Sequence, residues 1–153
     1  VGRALALGPE LILLDEPTVG LDIEERVRLK GMLEELRGRQ PIIISSHIAE
    51  DIEATCQQVI VLQKKHIIFA GEIEYLSSLA TGHVWKIPEE IYRRQRNTCK
   101  QIGCIEENGN RLVKVLCAEK ECAPDVSAVP LVPRLEDGYL YLLTKDDLNE
   151  KSI

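Results

Sequence analysis

The chain has 153 residues, 44% of them hydrophobic, 29% charged and only 4% aromatic, which gives room for one full domain or two small lobes. A formal net charge of −6 argues against a broad polyanion-binding surface, so a nucleic-acid role would need a local basic face. No apolar run approaches the roughly 18 residues that a bilayer span requires, and no secretory pattern opens the sequence.

Residues 1 to 7, VGRALAL, have helical composition and stop at Gly8-Pro9. ELILLDE then reads as a continuous apolar strand of the kind buried on both faces of a parallel sheet. Asp22 stands where a helix N-cap belongs, with Glu25 three residues on to complete a capping box. The helix it starts runs to about Arg37, with Leu29, Met32 or Leu33, and Leu36 on one face, and Gly38 ends it. PIIISS is a second strand of the buried type. A short helix, IAEDIEATC, precedes two strands, QVIVLQ and HIIFAG, joined at Lys64-Lys65. The helix EIEYLSSLA ends at Gly82, where a domain boundary is expected. Beyond it come a strand (83 to 87), a helix (EEIYRRQRNTCKQ) and a hairpin around Asn108-Gly109. A loop from Pro124 to Pro133 then leads to a last helix with Leu135, Tyr139 and Leu142/Leu143 on one face.

Strand, helix, strand is the βαβ pattern, so the first two strands end on the same edge of a parallel sheet. Asp15 and Glu16 finish one, and Ser45, Ser46 and His47 finish the other. Ligands of open α/β sheets bind at that edge. Two acids and a histidine are therefore expected to meet in one crevice.

With these motifs in order, the sequence resembles the ATP-binding subunits of ABC transporters. LILLDEP is similar to Walker B, VGLD to the D-loop, SSHIAED to the switch region, and AGE to the close of the catalytic domain. VGRALAL resembles the helix that follows the family's signature motif. The resemblance implies an α/β fold: the C-terminal part of a P-loop NTPase sheet with flanking helices over 1–82, then a small α+β accessory lobe over 83–153. Residues 83–153 more faintly resemble the C-terminal segment of ABC-2-type exporter ATPases.

For function, the resemblance implies Mg2+-dependent ATP hydrolysis that powers export. Asp15 would hold Mg2+ through water, Glu16 would act as catalytic base, and His47 would serve as switch histidine. Asp22 would contact a second ATP-binding subunit. A transmembrane permease is the implied partner, at the cytoplasmic face of the membrane, and no nucleic acid is expected. GxxxxGK[ST], the Q-loop and LSGGQ are absent, and the family would place them upstream of Val1. The chain is accordingly expected to be a fragment, inactive alone. Lys64-Lys65 replaces the Lys-Gly usual in the family, which questions a turn with positive φ there. A non-transport ABC ATPase and a non-catalytic regulatory or dimerisation half-domain are the rival readings.

Other residues read as structural. Ser45 and Ser46 fit backbone-satisfying roles at a strand end, with Ser46 able to position His47. His66 and His83 read as incidental, Trp85 as core, and Arg93, Arg94 and Arg96 as a solvated helix face. The five cysteines include no CxxC, and their odd number without a secretory signal favours reduced thiols.

Overall fold

The computed structural model describes residues 10–94 and 99–150, with side chains through 145. It divides into two compact units, 1–59 and 60–153. The helix expected over residues 1 to 7 lies outside the described residues, as does Arg96.

In the first unit, β1 (Ile12–Asp15) and β2 (Ile42–Ser45) pair in parallel, Ile12 against Ile42 through Asp15 against Ser45. The connecting helix α1 (Ile23–Leu36) starts at Asp22 with both halves of the capping box formed. Glu25 N donates to Asp22 Oδ1 at 2.8 Å, and Asp22 N donates to Glu25 Oε2 at 3.2 Å. Such a cap satisfies two otherwise orphaned donors and contributes about 1 kcal/mol. Leu29 and Leu33, four apart, are the buried residues of this helix. Gly38 follows the cap residue Arg37 with a φ of 78°, the left-handed geometry that favours glycine at a helix end. A short helix, α2 (Ala49–Thr55), completes the unit.

The strands β3 (Gln58–Gln63) and β4 (His66–Glu72) form a two-stranded sheet joined at Lys64-Lys65. Both lysines take positive φ, 47° and 68°. The turn therefore adopts the primed-type backbone despite lacking glycine, because that twist matches the flanking strands.

The second unit centres on a four-stranded sheet in the order β6-β7-β5-β8: Cys99–Glu107, Asn110–Cys117, Val84–Pro88 and Val129–Pro130. The hairpin falls at Asn108-Gly109, with φ of 53° and 75°, as its sequence predicts. One face of the sheet buries Trp85, Ile87, Val113 and Val115, with Tyr92 of α4 (Glu89–Arg94) against them. The other carries Ala80, Val84 and Leu116, covered by Leu140 and Tyr141 of α5 (Leu135–Glu150).

The helices α3 (Ile73–Ser78) and α5 cross where Gly138 meets Leu76. A Cβ at Gly138 would lie 2.1 Å from the Leu76 carbonyl oxygen, so only glycine allows this approach. This packing joins α3 to the second unit, and the division by contacts falls earlier in the chain than Gly82.

Four expectations change. The helix expected to continue through Cys99–Gln101 gives way there to strand, because these residues pair with Cys117–Val115 of β7. Cys99 and Cys117 are opposed in that ladder, 4.4 Å apart at Cα, and form a disulfide rather than reduced thiols. The spacing suits a non-hydrogen-bonded antiparallel pair, where side chains approach closest. His83 is 5% exposed and far from incidental: its Nδ1 lies 2.9 Å from the Cys117 carbonyl, and its ring packs on Tyr141 at 4.4 Å. Tyr139 faces out, and the buried face of α5 is set instead by Leu135, Asp137 and Gly138. Asp137 is buried because Lys114 Nζ reaches its Oδ1 at 2.6 Å and the Arg134 N–H donates to its Oδ2 at 2.8 Å.

Candidate functional site

The parallel register brings Asp15 and Ser45 side by side at the C-terminal ends of β1 and β2. The Ser45 hydroxyl donates to Asp15 Oδ1. The Glu16 N–H donates to the Ser45 carbonyl at 3.0 Å and lies 3.1 Å from its Oγ. Ser45 thus holds the side chain of Asp15 and the backbone of Glu16, beyond the backbone role its position in the sequence suggests.

Glu16 takes a φ of 44°, in the left-handed region that a non-glycine residue enters at a cost of roughly 1–2 kcal/mol. The Glu16 carboxylate lies 2.8 Å, through Oε1, from His47 Nδ1. Its Oε2 is shielded from solvent and has no hydrogen-bond partner among the described residues. The His47 side chain is 72% exposed. The Ser46 hydroxyl accepts from the Ile48 N–H at 3.1 Å and so fixes the chain entering α2.

The structure therefore unites Asp15, Glu16 and His47 at one sheet edge, while Asp22 is engaged as the cap of α1. The donor set is carboxylate oxygen, with Asp15 exposed and Glu16 presenting an unpaired oxygen. Such hard donors fit Mg2+, which keeps several waters and is bound through one or two carboxylates.

Two residues of this region escaped the sequence reading. Thr18, in the turn after Glu16, and Asp51, in the first turn of α2, are 5% and 6% exposed. Asp51 is ion-paired with Lys30 of α1 at 3.1 Å. Burial raises the Asp51 pKa, but the Thr18 hydroxyl, Lys30 and Arg26 outweigh it and hold the carboxyl below its ordinary value. In the sequence, an acid in the first turn of a helix reads as solvated and dipole-favoured, so nothing in the pattern marks Asp51 as buried.

No protein-family model matches the chain. Among curated proteins it is similar to the ABC transporter ATP-binding protein NatA of Bacillus subtilis, 39% identical over 77 residues. That match covers 50% of this chain and 31% of NatA. The energy-coupling factor transporter ATP-binding protein EcfA2 of Clostridium tetani is 29% identical over 126 residues, 75% of this chain and 44% of that protein. A chain from an inward-facing metal-chelate type ABC transporter gives a TM-score of 0.44 at 19% identity, over 76% of this chain and 44% of that one. The chain thus spans less than half the length of these curated relatives, each of which is an ATP-binding protein of a transporter.

Proposed function

We propose that the chain is the C-terminal part of the ATP-hydrolysing subunit of an ABC transporter, with Asp15, Glu16 and His47 as its working residues. The observation that supports this reading is the 2.8 Å contact between His47 and Glu16 at the end of the strand that carries Asp15. The similarity to NatA and EcfA2 agrees with it.

Mg2+, when bound, would supply charge neutralisation to the nucleotide phosphates. Asp15, kept in place by Ser45, would hold the ion through water. Glu16 takes a proton from the attacking water, a step typically worth about 10²- to 10⁴-fold in rate. His47, with Nδ1 turned to Glu16, presents Nε2 toward the γ-phosphate and orients that water. Asp22 makes a contact with a second ATP-binding subunit in addition to capping α1. The transmembrane partner is a permease, and the subunit sits peripherally at the cytoplasmic face. Export of the ABC-2 kind is the finer reading, and residues 83–153 form the accessory segment after a catalytic part that closes near Gly82. Without GxxxxGK[ST], residues 1–153 alone neither bind ATP tightly nor hydrolyse it.

The test is Glu16→Gln in the full-length subunit. Nucleotide binding is retained and steady-state turnover falls by about 100-fold or more. Turnover at the wild-type rate removes Glu16 from its role.

A further inference from the structure

We infer that Asp51 is a positioning residue that sets the distance between His47 and Glu16, acting through Lys30 and the Thr18 turn. The inference rests on the reading of Glu16 and His47 given above and adds to it a residue that touches neither of them.

The His47–Glu16 contact joins the segments that leave β1 and β2. The imidazole is largely exposed, and α2 begins at Ile48 without a side-chain cap of its own. Four residues after His47, Asp51 is buried on the first turn of this helix. Its carboxylate meets three parts of the unit at once. Lys30 Nζ lies 3.1 Å from Oδ1 and ties α2 to α1. Arg26, one turn earlier on α1, adds a second positive charge. Thr18, two residues past Glu16, neighbours the same carboxylate. Asp51 Oδ2 and Thr18 Oγ1 are both shielded from solvent and lack a conventional hydrogen bond among the described residues.

Pro17, Thr18, Lys30 and Asp51 line one small cavity with Ser46. The residues that follow β1 and β2 thus share one buried anchor with Asp51. A surface acid at the start of α2 would favour the helix through its dipole with no need for burial. Burying the charge costs free energy unless it is paired, and its pairing spans α1 and α2. Removing one partner leaves a buried charge alone and lets α2 shift against β1. Misplacement of about 1 Å in such a pair costs as much as 100-fold in rate.

The experiment uses the full-length subunit with Asp51→Asn, Lys30→Met and the double variant, beside Glu16→Gln as reference. Each variant is assayed well below its own melting temperature, so that lost folding does not count as lost turnover. Asp51→Asn is expected to lower kcat by about 10-fold or more while KM for ATP stays within about 2-fold. The double variant should be no slower than the slower single one, because the two substitutions break one contact. Asp51→Glu should recover a substantial part of kcat. Wild-type kcat in folded Asp51→Asn, or a raised KM with kcat unchanged, overturns the inference while leaving Glu16 and His47 their roles. Full turnover in Glu16→Gln overturns the site reading and this inference with it.

Discussion

The two units solve the burial of a sheet in opposite ways. In the second, the antiparallel sheet is covered on both faces, with Val113 and Val115 at 1% and 0% exposure and the Cys99–Cys117 disulfide joining its first two strands in order. In the first, the parallel pair covers one face only. Leu13 and Ile43, partners in the register, are 68% and 56% exposed on the other. Parallel sheets are ordinarily buried on both faces, and a two-stranded pair is marginal by itself. The unit that carries the chemical groups is therefore the less self-sufficient one, and the unit with no assigned chemistry has the closed core.

That contrast can be broken most sharply at the crossing of α3 and α5. Gly138→Ala forces Cβ against the Leu76 carbonyl and should cost the second unit about 3 kcal/mol. Thermal melting followed by the fluorescence of Trp85, the single tryptophan and part of that core, reads the loss directly. An unchanged midpoint would mean that the helices have room to part. A smaller effect of opposite sign is expected at the β3–β4 turn. Replacing Lys64-Lys65 by Asn-Gly relieves two left-handed lysines and should stabilise the hairpin by about 1–2 kcal/mol. Amide hydrogen exchange in β3 and β4 would register slower opening, and faster exchange would show that the lysines earn their positions by other contacts.

The smallest effect separates the units by pH. The folded pKa of Asp51 lies below the ordinary carboxylate value, so its stabilisation is fully present above that ordinary value and is lost as pH falls through the folded pKa. The backbone amide signals of the first unit should weaken in that acid window, and Asp51→Asn should flatten the response. An acid limb that is identical in the variant would assign the loss to other carboxylates.

How far the sequence discloses this arrangement differs by element. The apolar run before Asp15 and the capping box at Asp22 and Glu25 are local signals: the helix forms as predicted, and the strand forms too, but with Leu13 exposed rather than buried on both faces. The meeting of Glu16 with His47 follows from topology, since two parallel strands must end on one edge. Asp51 and His83 were opaque because their burial depends on partners far along the chain, Lys30 for one and Cys117 for the other. The strand at Cys99 was read as helix for a similar reason. Its pairing with β7 is a tertiary choice that local preference does not encode.

Ser45 has a bearing on how the two strands find each other. Along β1 and β2 the paired residues are Ile12 with Ile42, Leu13 with Ile43 and Leu14 with Ile44. These side chains are nearly interchangeable, so hydrophobicity alone would tolerate a slip. Such a slip would turn every side chain of β2 to the opposite face and set Ile44 or Ser46 against Asp15. The hydrogen bond that Ser45 donates to Asp15 and the one its carbonyl accepts from the Glu16 N–H form in one alignment. The Asp15 carboxylate is thereby the mark by which an otherwise featureless pair of strands is aligned.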